Sequence, residues 1–200
     1  MQLRGVAALA AGVFFGSFFL PSPAPAQERA GPRILAEKKT TSLPAGPLFW
    51  WVENFPTVAQ AQAAAGPTGL VAEAAGKIWL VTLGPAGQSS KDGSKVAEVG
   101  PLPPLTAPQY ALQLREGNIK AGATTPVHTH PGSEAFYILA GEKTLKTSQG
   151  VVRTAAGRAL LGPETGTTMQ VSNEGTTDLH MLLLFVLDAT KPFLSPAKFP

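Results

Sequence analysis

The residues able to do chemistry gather in one stretch of twenty, GATTPVHTHPGSEAFYILAG (122–141), which holds His128, His130 and Glu134. On an extended strand, residues two apart point to the same face, so the two imidazoles share a side. Glu134 opens the next apolar run after Pro131-Gly132-Ser133. A hairpin turn there would bring its carboxylate back beside the imidazoles. Two imidazoles and a carboxylate converging on one point describe a divalent transition-metal site, and Fe, Mn, Zn, Ni and Cu all accept such ligands. The plainer alternative is three satisfied polar groups, or a glutamate that only orients an imidazole from behind. Burying three such groups without a shared partner would cost several kcal/mol, roughly, which favours the metal.

The elements that must position these side chains are strands. From Tyr110 to Leu187 short β-like runs follow one another: YALQLRE, ATTPVHTH, EAFYILAG, KTLKTS, VVRT, RALL, TTMQVSN and LHMLLLFVL. Turn signals such as Gly141-Glu142, Gln149-Gly150, Ala156-Gly157 and Asn173-Glu174-Gly175 divide them. Strands at this spacing predict an all-β sandwich, barrel or jelly roll. The last run, Leu179 to Leu187, is apolar on both faces and too short to cross a membrane, so it reads as a strand covered on both sides.

These residues resemble a family. Gly122-x5-His128-x-His130-x3-Glu134-x6-Gly141 is similar to the first signature motif of the cupin superfamily, in every specified residue and spacing. A second, degenerate motif follows from Gly157 through Gly162, Pro163, Gly166 and Met169 to Asn173. It carries one extra residue between Pro163 and Gly166, and Met169 stands where the family has its usual third histidine. The resemblance covers residues 110 to 190 and implies a small jelly-roll-like β-barrel, one domain and not two, that holds a divalent metal. By that alignment Met169 faces inward, either as a soft fourth ligand or as wall filling, and the wall is the preferred role for a thioether beside these ligands. His180 is a weaker candidate for the missing ligand; pairing with Asp178 at a solvated strand end is the plainer role. Phe136 and Ile138 alternate with Glu134 and should line the pocket, with Tyr137 pointing out of it.

Upstream, residues 27–47 mix charges with Pro, Gly and Ala and read as a loosely held arm. The aromatic run Leu48-Phe49-Trp50-Trp51-Val52 must find cover, in the core or in a homodimer contact. Thr57 and Gln60 make a capping box ahead of an Ala-rich stretch, predicting a short helix over about 57–65. A hairpin is expected over about 70–83, around Gly76. Residues 84–108, dense in Gly, Pro, Ser and Lys, read as a long loop. The expected organisation is a leader (1–26), an N-terminal elaboration (27–108), the barrel (109–190) and a C-terminal tail (191–200).

The leader expectation rests on Arg4, an apolar run from Gly5 to Leu20, and the small-x-small site Ala24-Pro25-Ala26. These are the parts of a secretory signal, which predicts a secreted or periplasmic protein with no membrane attachment after cleavage near Ala26. The chain has no cysteine, which excludes thiolate ligands, thiol nucleophiles and a disulfide scaffold. Its formal charge is +3 with Lys and Arg scattered, so no basic patch argues for nucleic acid. No Ser-His-Asp order, P-loop or dinucleotide glycine pattern is present. Three functions remain open: a metal-dependent oxidoreductase such as a dioxygenase acting on a small organic molecule, a non-catalytic small-ligand-binding module, or a structural protein with a vestigial site.

Overall fold

In the chain as seen in a computed structural model, residues 31–200 are described; the expected leader lies outside them. Fourteen strands and one helix follow in this order: β1 (Arg33–Thr40), β2 (Phe49–Phe55), α1 (Val58–Ala64), β3 (Gly69–Ala74), β4 (Lys77–Gly84), β5 (Ser94–Val99), β6 (Tyr110–Ile119) and β7 (His128–Thr129). Then come β8 (Gly132–Ala140), β9 (Glu142–Thr147), β10 (Gly150–Ala155), β11 (Ala159–Leu161), β12 (Met169–Ser172), β13 (Leu179–Asp188) and β14 (Ser195–Pro196). They build three antiparallel sheets. The central sheet has the order β1-β6-β13-β8-β11, the site sheet β10-β9-β12-β7-β14, and the N-terminal sheet β3-β4-β2-β5.

The central sheet is covered on both faces, and β13 shows why its sequence is continuously apolar. Leu182, Leu184 and Val186 pack with Trp50, Val52, Trp79 and Val81 of the N-terminal sheet. Leu179, Met181, Leu183, Phe185 and Leu187 pack instead with Phe136, Ile138, Leu145, Met169 and Val171, between the central and site sheets. Alternation along a strand therefore serves two cores at once. The aromatic run at 49–51 finds its cover within the chain: Trp50 is fully buried and Trp51 nearly so.

The expected all-β, jelly-roll-like architecture is present, although the two five-stranded sheets do not close into a continuous hydrogen-bonded barrel. The helix is capped as read, with the Thr57 side chain accepting from the Gln60 amide at 3.2 Å. The hairpin of β3 and β4 turns at Ala75 (φ 50°) and Gly76 (φ 69°), where two left-handed residues match the twist of the paired strands.

Three expectations need correction. The loose arm at 27–47 holds β1, which pairs with β6 at the edge of the central sheet; its Lys38 and Lys39 hid it, and charge on an edge strand also discourages pairing with other chains. The loop at 84–108 contains β5, paired with β2. The tail at 191–200 contributes β14, paired with β7. Among the described residues no helix is long and apolar enough to cross a membrane.

Candidate functional site

The chain does not form a hairpin at Pro131. Strand β7 lies in the site sheet and β8 in the central sheet, so the chain steps from one layer to the other at Pro131 and Gly132. The step is tight: a Cβ on Gly132 would lie 2.0 Å from the Val186 carbonyl oxygen. The histidines and Glu134 therefore belong to facing walls. Glu134 pairs in register with Phe185, whose side chain lies in the core between the two sheets, so the carboxylate points into that space. Phe136 and Ile138 follow it inward as expected, while Tyr137 points the other way, against Trp79 with ring centroids 5.6 Å apart.

His128 and His130 are both buried, with ring centroids 4.8 Å apart. His128 Nδ1 donates to the Pro126 carbonyl and His130 Nδ1 to the Phe193 carbonyl, each at 2.7 Å. A carbonyl can only accept, so each neutral ring carries its proton on Nδ1 and leaves the Nε2 lone pair unused. Burial holds both imidazoles below the ordinary value, His130 at about 4. They are neutral donors at physiological pH.

Phe193 was not singled out by the sequence. It supplies that carbonyl, and its ring packs against His130 and Phe185 at 4.7 and 5.1 Å. The Arg115 guanidinium lies over that ring, 3.6 Å from its centroid. One of two phenylalanines in a Pro-rich tail was the available signal.

Met169 sits directly opposite His128 in the β7–β12 pairing and is buried. Its side chain belongs to the core between the sheets, consistent with wall filling. His180 lies elsewhere: its Nε2 is 2.8 Å from Glu116 Oε1, and Asp178 is engaged by Lys120 Nζ at 2.6 Å. The expected His180–Asp178 pairing is replaced by these two, because Glu116 on the adjacent strand β6 and Lys120 just beyond it supply partners to the two side chains.

The sequence reading also passed over Lys143. It is fully buried, on the same face of β9 as Leu145, and its Nζ lies 3.5 Å from the Phe136 ring centroid. Neither Lys143 Nζ nor Glu134 Oε2 has a hydrogen-bond partner. Burial pushes Glu134 up to about 8, partly offset by the Lys143 charge, and pushes Lys143 down to about 7. Each disfavours its charged form because water has been removed without a replacement.

Do these residues fit a divalent metal? In donor chemistry they do: two Nε2 lone pairs and an orphaned carboxylate oxygen suit such an ion. In spacing the set is open, because among the described residues no three His, Cys, Asp or Glu side chains are gathered closely enough to share one ion. An open groove of about 630 Å³ lies instead on the N-terminal sheet, but Lys91 and Asp92 are its only charged lining.

A family model described as cupin domain matches residues 116–185, which hold His128, His130, Glu134, Lys143 and Met169 but not Arg115 or Phe193. Residues 116–185 thus match a small cupin domain. No curated protein matches the chain. Solved structures resemble part of it. A conserved protein of unknown function from Streptococcus pyogenes is 24% identical over 38% of this chain and 64% of its own, with a TM-score of 0.35. A putative sugar phosphate isomerase from Acidithiobacillus ferrooxidans is 27% identical over 38% and 49%, TM-score 0.34. A DMSP lyase from Ruegeria pomeroyi is 24% identical over 40% and 41%, TM-score 0.37. The chain thus spans less than two thirds of the length of each of these three.

Proposed function

We propose that this cupin domain is a small-molecule site in which His128, His130 and Glu134 hold a divalent transition metal, serving an oxidoreductase of the dioxygenase class on a small organic substrate after export. The observation that carries the metal is the pair of buried imidazoles whose Nδ1 protons are both committed to backbone carbonyls. Backbone partners of this kind fix the ring and present Nε2, which is how ligating histidines are held. A bound metal would supply Lewis acidity and a seat for substrate or oxidant. The chain's own residues do the rest: Phe193 and Pro126 orient the rings, and Phe136, Ile138 and Phe185 exclude water from the space around them.

A second reading, a binding module without catalysis, is favoured by Met169. It takes the position of a fourth strong ligand with an apolar side chain buried in the wall, and the described chamber holds no spare imidazole to act as a general base.

Metal analysis of untagged protein tests the metal. The expected outcome is near-stoichiometric iron, manganese or another divalent ion, lost from a His128→Ala/His130→Ala variant that still melts cooperatively. Absence of metal after reconstitution would sink the metal. Oxygen consumption with small acids and phenols separates the oxidoreductase from the binding module.

A further inference from the structure

Lys143 has no task in that proposal. A buried lysine is costly unless paired, and this one has Phe136 beneath its Nζ and no hydrogen-bond partner. Its cost is not a local accident of β9. The strand alternates so that Lys143 and Leu145 face inward, and Leu145 belongs to the core shared with Phe136, Ile138 and Met169. Glu134 is the opposite charge it feels, yet the two form no ion pair within the described residues; each oxygen or nitrogen that could close the gap stays unbonded.

We propose that the Lys143 ammonium is the recognition group for the carboxylate of a small organic acid, whose body lies along Phe136 toward Glu134 and the two imidazoles. The inference rests on the reading of the chamber as a small-molecule site, not on the metal.

The chemistry points to a monocarboxylate. The other buried cation nearby, Arg115, is already committed: Nε donates to Gln113 Oε1 at 2.8 Å and one Nη to the Pro32 carbonyl at 3.0 Å. Among the described residues at this face, that leaves the Lys143 nitrogen without a partner, a single positive charge that matches one negative charge and not the two of a phosphate monoester. An ammonium–carboxylate hydrogen bond is of the strong, charge-assisted kind. The walls ask for a short apolar body, since Phe136, Ile138 and Phe185 share one core, with Phe136 under the Lys143 nitrogen and Phe185 against His130. Glu134, whose Oε2 has no partner, can accept from a hydroxyl there.

The test is calorimetric titration of the full chain with lactate, its neutral isostere lactamide, and inorganic phosphate, with metal content measured on the same samples. Lactate should bind, lactamide about tenfold or more weaker, and Lys143→Met should lose lactate by about tenfold or more. Lys146→Met, on the outward face of the same strand, should bind lactate as the wild type does. The Lys143→Met protein is expected to fold, since an apolar isostere suits the site, and a thermal melt checks this. The Lys143 13Cε resonance should move to its ammonium position on lactate addition. No binding of lactate by the wild type, equal binding by Lys143→Met, equal binding of lactamide, or preference for phosphate would each overturn the proposal. Metal-free wild type that binds lactate through Lys143 supports it and removes the metal alone; metal-loaded wild type that ignores lactate does the reverse.

Discussion

Two glutamates are buried on opposite sides of the same central sheet, and they are handled in opposite ways. Glu53, in the N-terminal sheet, is fully buried, and both its oxygens are bonded by Ser90, through the amide and the hydroxyl at 2.7 Å each. Glu134, on the site face, is as deeply buried, and its Oε2 has nothing. The large side chains around them divide less cleanly, since Trp50 Nε1 in the N-terminal core has no partner either. Trp79 donates its Nε1 to the Ala74 carbonyl at 3.0 Å, whereas Lys143 has only a ring face. On the N-terminal side the buried carboxylate is satisfied internally, although Trp50 Nε1 is left without a partner. On the site side a carboxylate oxygen and the Lys143 nitrogen have no hydrogen-bond partner, beside two imidazoles whose Nδ1 atoms are bonded to carbonyls. Burial does not separate the two glutamates; their partners do.

That contrast can be broken by substitution. The largest effect is expected from Trp79→Ala, which empties the N-terminal core and should cost about 3–5 kcal/mol in denaturant melts, leaving metal content per folded molecule unchanged. A loss of metal in the folded fraction would show that the two cores are not separable. Next, Glu53→Ala should lose about 1–3 kcal/mol by orphaning the Ser90 donors. The Glu134→Leu/Lys143→Met pair should instead be neutral or gain, by up to about 4 kcal/mol, since it replaces unpaired buried charge with apolar packing. Equal losses from both would erase the distinction between the two glutamates.

The smallest effect is a slope. Lys143 falls from an ordinary 10.5 to about 7 on burial, so between those values the unfolded chain holds a proton that the folded chain does not. Stability of the metal-free protein should therefore rise with pH, most cleanly from about 8, where Glu134 has titrated, to about 10.5, and the contribution is lost as pH falls through 7. Lys143→Met should flatten that rise; an unchanged slope would mean that Lys143 is hydrated in solution.

Much of this was legible in the sequence. The spacing of Gly122, His128, His130, Glu134 and Gly141 carried the cupin resemblance, and the unbroken apolar run of β13 announced a doubly covered strand. What escaped was whatever depended on layers. The step at Pro131 looks like a hairpin because Pro-Gly-Ser is turn chemistry in either case; only the contact of Gly132 with Val186 distinguishes a change of sheet. Lys143 could have been found, since alternation in EKTLKT places it beside Leu145, but a lysine in a β-run is ordinarily a solvated one. Strand β1 escaped because an edge strand needs little apolar surface, and Phe193 because its role lies in a carbonyl that any residue could offer.

That carbonyl ties the site to the C-terminal segment. The ring of His130 is held by Phe193, and β7 by β14, so residues 193 to 196 belong to the chamber as surely as the histidines do. A protease that trims the chain just behind Asp188 would leave β1 to β13 in place and the circular dichroism nearly unchanged, yet would strip the Phe193 ring from Phe185 and release one imidazole from its anchor. A preparation can thus look folded and be functionally clipped, and intact mass is the measurement that tells the two apart.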